Sequence, residues 1–72
     1  MSMEEKKELL AEVLDVDIED LMPETRLVEM EEWDSMAKLG IIVMFEDECG
    51  IKITRKEVMN FETIGDILDC MN

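Results

Sequence analysis

Apolar residues recur at helical spacing in three stretches of the chain, and the intervals between them read differently. Ser2 and Glu5 make a capping box, in which each side chain satisfies a backbone N–H of the other, and Leu9, Leu10, Val13 and Leu14 follow on one face. This predicts a helix over about residues 3–14. From Asp15 to Trp33 the period lapses, with Pro23 and a turn at Thr25, while Val16, Ile18, Leu21, Leu27 and Val28 can pin the stretch to a core. It reads as a long ordered loop, and connections of this length inside a compact domain usually have a function.

A second helix is predicted from Ser35 to about Cys49, closed by Gly50, a residue suited to the left-handed C-cap. Its apolar residues fall on two stripes. Ile41, Phe45 and Cys49, with Ile42 and Met44 on either side, make a core face. Met36, Leu39 and Val43 make the other, which runs from beside Ser35 toward Asp47. Either both stripes are buried between neighbouring helices, or the second is an exposed apolar strip bordered by acid. Ile51 and Ile53 alternate with Lys52 in an extended link, Val58 and Phe61 mark a short helical turn, and Thr63 caps a last helix carrying Ile64, Ile67, Leu68 and Met71. The expected fold is all-α, a small four-helix bundle of three principal helices and one short one, with the long loop between helices one and two. A single domain over residues 1–72 is expected.

Charge narrows the partners. Twenty acidic against 7 basic residues give a net charge of -13, a field that repels nucleic acid and anionic lipid and attracts basic protein surfaces. At 47% hydrophobic residues the chain is too apolar for a disordered acidic tail. The longest apolar run, Ile41 to Phe45, cannot insert across a bilayer. Two cysteines, Cys49 and Cys70, without a signal-like N-terminus, point to a reducing, cytoplasmic setting.

Catalytic and metal chemistries find little support. Histidine and tyrosine are absent, so a Ser35 nucleophile would need Lys38 or a carboxylate as base, and Lys38 reads as a solvated charge. The three glycines stand alone, which removes phosphate-cradling loops. No C-x-x-C pair or Cys/His cluster suggests zinc. An EF-hand begun at Asp15 has Asp17 and Glu19 at positions three and five, but Asp20 takes the place of glycine and Arg26 that of the bidentate glutamate. No metal site is expected, and the 8 methionines serve as core filler and flexible contact surface.

The candidate chemistry lies in Asp34-Ser35-Met36. A serine at the mouth of a helix faces unpaired N–H groups and the positive end of the dipole, where a phosphate ester would be well held. The simpler reading is that Asp34 or Ser35 only caps the helix.

Taken together, these segments resemble the acyl and peptidyl carrier proteins, small acidic four-helix bundles that carry 4'-phosphopantetheine on a serine. Leu14-Asp15-Val16-Asp17 resembles the end of that family's first helix, and Pro23-Glu24-Thr25 with Leu27 and Val28 resembles its long loop. Asp34-Ser35-Met36 resembles its attachment motif, and Glu46-Asp47-Glu48-Cys49-Gly50-Ile51-Lys52-Ile53 its acidic helix end and following aliphatics. Thr63-Ile64-Gly65-Asp66-Ile67 resembles the start of its final helix. The resemblance implies a carrier without catalysis of its own, modified at Ser35 by a phosphopantetheinyl transferase that uses coenzyme A and magnesium. It implies a thioester-bound acyl or aminoacyl cargo and a docking surface of Asp34, Met36, Leu39, Val43, Glu46 and Asp47 for basic acyl-loading and acyl-processing enzymes. A monomer is expected.

Several positions depart from the family pattern. Trp33 replaces a common glycine, and either packs across the loop or meets a partner. Lys38 puts a positive charge beside the serine, and Gly40 takes a place often held by Glu, at about 1 kcal/mol of helix propensity. Cys49 replaces an aromatic. Its smaller side chain either opens a cargo pocket among Ile42, Phe45, Cys49, Ile53 and Phe61, or leaves space that Phe61 fills, the second being preferred. The alternative to a carrier is an acidic helical adaptor that keeps the fold, is never modified and works by contact.

Overall fold

Side chains that satisfy the first free N–H groups start each α-helix of the computed structural model, which describes residues 2–71. Ser2 Oγ accepts from the Glu5 N–H at 3.2 Å, and the Glu5 carboxylate accepts from the Ser2 N–H, so helix α1 spans Met3–Leu14. The same reciprocal box is made by Thr54 with Glu57 at α3, Arg55–Met59, and by Thr63 with Asp66 at α4, Ile64–Cys70. Asp34 starts α2, Ser35–Cys49. At their C-termini α1 and α2 turn into the left-handed region, at Asp15 with φ 57° and at Gly50 with φ 67°. The all-α architecture and the bounds of the first two helices follow the periodicity of the sequence.

The loop between α1 and α2 is ordered by α4. The first N–H groups of a helix have no partner inside it, and here the loop supplies them. Ile64 N–H donates to the Thr25 carbonyl at 3.0 Å and Gly65 N–H to the Pro23 carbonyl at 2.9 Å, while Leu27 N–H returns a bond to the Glu62 carbonyl at 2.9 Å. A Cβ on Gly65 would lie 3.0 Å from the Pro23 oxygen, so the approach depends on the missing side chain. Leu21 and Leu27 are buried as the sequence suggested, but Ile18 and Val28 are not: Val28 is 77% exposed. The reason is local. Leu27–Glu29 forms a turn of 3₁₀ helix, in which neighbouring side chains point about 120° apart, so burying Leu27 turns Val28 outward.

One core joins the helices. Leu10 and Leu14 of α1 meet Ile41, Met44 and Phe45 of α2, with Val58 of α3 and Ile64, Ile67 and Leu68 of α4 closing it. Phe45 stacks on Phe61, ring centroids 6.3 Å apart. Gly40 sits where α2 faces α1, and a Cβ there would come within 2.9 Å of a Val13 methyl carbon.

Gly40→Ala therefore should not bring the gain of about 1 kcal/mol that a glycine-to-alanine change gives in a helix interior. Denaturant unfolding should show Gly40→Ala neutral or destabilising in the wild-type background and stabilising in a Val13→Ala background. Equal effects in both backgrounds would show that the Val13 contact does not constrain the position.

Candidate functional site

The start of α2 separates two roles that the sequence left joined. Asp34, in extended backbone, is the N-cap: its Oδ1 accepts from the Ala37 N–H at 2.8 Å. Ser35 is the first helical residue and is exposed. With Ala37 served by Asp34, the N–H groups of Ser35 and Met36 have no protein partner among the described residues. No acid stands in the first turn of the helix. An exposed hydroxyl thus sits at the positive end of a 15-residue helix, where an attached anion is favoured.

A cavity of about 270 Å³ opens beside the hydroxyl, lined by Ser35, Lys38, Leu39 and Ile42 of α2 and by Arg55 and Met59 of α3. Lys38 Nζ lies 5.9 Å from the centre of the Trp33 ring, a cation–π contact of about 0.5–1 kcal/mol at an exposed site. Trp33 itself is half-buried and packs on the core.

The suggested cargo-pocket residues lie in or against the one core cluster. Ile42 lines the cavity at Ser35, whereas Phe45 and Ile53 are buried in the core, Phe61 stacks on Phe45, and Cys49 is half-buried against the same cluster. Arg55 and Met59 were missed. They sit on a five-residue helix too short for periodicity to orient, although the Thr54–Glu57 spacing would have placed Arg55 at its first position. The second stripe of α2 is uncovered: Met36, Leu39 and Val43 are 80%, 50% and 56% exposed, and Asp34, Glu46 and Asp47 are exposed too. Met59, at the edge of the cavity, is also exposed. Among the described residues no cluster of His, Cys, Asp or Glu is placed to hold a metal ion, and no helix is long and apolar enough to cross a membrane.

The family model for the phosphopantetheine attachment site matches residues 7–71. The chain belongs to the phosphopantetheine-attachment family. An acyl carrier protein of Thermosynechococcus vestitus is 33% identical over 97% of this chain and 86% of its own length. An acyl carrier protein of Myxococcus xanthus is 31% identical over 93% of the chain and 94% of its own length. The acyl carrier protein MbtL of Mycolicibacterium paratuberculosis is 34% identical over 82% of the chain and 66% of its own length. The cofactor of this family is 4'-phosphopantetheine, held covalently, and its carriers leave catalysis to the synthetic enzymes they serve. A hydroxyl in the open, at a positive helix end and beside two cationic side chains, fits a phosphodiester chemically.

The chain's own thiols are a separate matter. Cys70 lies at the end of α4, and desolvation, with the carboxylates of Asp69, Asp66 and Glu57, pushes its pKa above the ordinary thiol value. The thiolate is the attacking form, so the shift makes Cys70 a poor competitor for a thioester cargo.

Two outcomes follow from these surroundings. Asp34→Ala should lower stability by about 1 kcal/mol through the lost cap, while Asp34→Asn, which can still accept from Ala37, should melt close to the wild type by circular dichroism. Equal losses would assign the effect to charge and not to capping. For Cys70, removing a neighbouring negative charge by Asp69→Asn should lower the thiol pKa. Alkylation at Cys70, followed by peptide mass, should then shift to lower pH than in the wild type, and an unmoved profile would exclude the carboxylate effect.

Proposed function

We propose that this chain is a single-domain acyl carrier in which Ser35 bears the phosphopantetheine arm. The observation that supports this most is the division of labour at the start of α2: Asp34 holds the cap, and the serine next to it is exposed and free to be modified. Ser35 Oγ forms a bond to the pantetheine-bearing phosphorus of the coenzyme A pyrophosphate, the bond from that phosphorus to the bridging oxygen breaks, adenosine 3',5'-bisphosphate leaves, and the hydroxyl proton passes to a base of the transferase. The bound arm supplies a thiol on which an acyl or aminoacyl cargo is held as a thioester. The names of the relatives favour acyl cargo.

The residues of α2 then serve recognition. Met36, Leu39 and Val43 give an apolar strip, and Asp34, Glu46 and Asp47 give its acidic border, a combination suited to enzymes with basic docking surfaces. Complementary charge speeds encounter without demanding tight binding, which suits a monomeric shuttle that has to release each partner. No general base accompanies Ser35 in its cavity, whose polar side chains are Lys38 and Arg55, so the reading assigns the protein transport and not catalysis.

Intact mass tests this directly. Incubation with coenzyme A, magnesium and a broad-specificity phosphopantetheinyl transferase should add one phosphopantetheine to the wild type and nothing to Ser35→Ala. That variant should stay folded, because Asp34 provides the cap. A folded, previously unmodified wild type that gains no mass, also with its cognate transferase, would favour the unmodified adaptor instead.

A further inference from the structure

The cavity beside Ser35 gathers positive charge in a strongly negative molecule. The chain has 20 acids and 7 bases, yet Lys38 from α2 and Arg55 from α3 both line this cavity, and no acidic residue does. An acidic docking face would gain nothing from them, and they reach the cavity from two different helices beside the exposed Ser35. Lys38 also has a neutral partner, the ring of Trp33.

We propose, on the basis of attachment at Ser35, that Lys38 and Arg55 form a two-walled cationic cradle for the phosphodiester on that serine, and that Lys38 leaves Trp33 to complete it. Residues at i and i+3 share a helix face, so Lys38 is on the same side of α2 as Ser35. Its flexible stem lets the ammonium swing from ring to anion, whereas the guanidinium of Arg55 offers a planar fork to two phosphate oxygens. A full negative charge attracts the ammonium more strongly than the quadrupole of an aromatic face does. The phosphodiester is ionised throughout the neutral range, so the transfer follows modification and not pH. The base of the arm is thereby drawn toward α3, over Leu39, Ile42 and Met59, and its charge is offset within the cavity.

The chain reports on this itself. Trp33 is its single tryptophan and tyrosine is absent, so ultraviolet-excited emission comes from the site. Wild type, Lys38→Gln and Arg55→Gln are compared before and after loading with the transferase, each brought to full loading as judged by intact mass. Phosphorus NMR gives the shift of the phosphodiester.

In the wild type, loading should change Trp33 emission. The change should be lost in Lys38→Gln, whose ring has no cation to release, and kept in Arg55→Gln. Both substitutions should move the phosphorus resonance, and raising salt should move it in the wild type toward its position in the double variant. Loaded protein in which emission and phosphorus shift are indifferent to both substitutions overturns the cradle and leaves the carrier reading intact. A wild type that gains no mass overturns both.

Discussion

The backbone pairing between the long loop and the start of α4 sets the rest of the structure. α4 is a seven-residue helix, short for a helix that must form against the cost of nucleation. Thr25 and Pro23 carbonyls complete its first turn, and Thr63 completes its cap. The same bonds fix a loop that would otherwise have few restraints, with Leu21 and Leu27 driven into the core on either side of them. Because that loop ends at Asp34, its anchoring at α4 determines where α2 begins and where Ser35 is presented. A bond pattern remote from the serine in sequence thus positions the serine in space.

The two helix starts illustrate opposite uses of one physical feature. At α4 the loop and the cap consume the free donors. At α2 a single carboxylate takes one donor, and two others have no partner among the described residues. The first arrangement spends the donors on folding; the second leaves them free, as the proposed attachment at Ser35 requires. A carrier needs both, since its modified residue must be held by the fold without being used by it.

Much of this was legible in the chain. Leu9, Leu10, Val13 and Leu14 located α1, Ser35 to Gly50 located α2, and the order of weak motifs pointed to the family. Orientation was harder. The apolar residues of α2 surround much of the helix, and period alone could not tell whether Met36, Leu39 and Val43 face a neighbour or solvent. Val28 was misplaced because a turn of 3₁₀ helix has its own geometry, invisible to a search for period 3.6. The Ser35 cavity needed Arg55 and Met59, whose facing is set by the packing of Val58 beneath them. The suggested pocket rested on the small side chain of Cys49, and two of its members, Phe45 and Ile53, belong to the buried core.

α3 gives the cavity walls of unequal stiffness. The α2 wall belongs to a 15-residue helix with four buried side chains, whereas α3 has five residues, a capping box at its start and Val58 as its one buried residue. Local opening is least costly where few apolar contacts would be broken. The wall carrying Arg55 and Met59 is the compliant one, and it can yield while the bundle holds. The shape of the cavity beside Ser35 is then governed by how readily one short helix gives way, more than by the volume enclosed at rest.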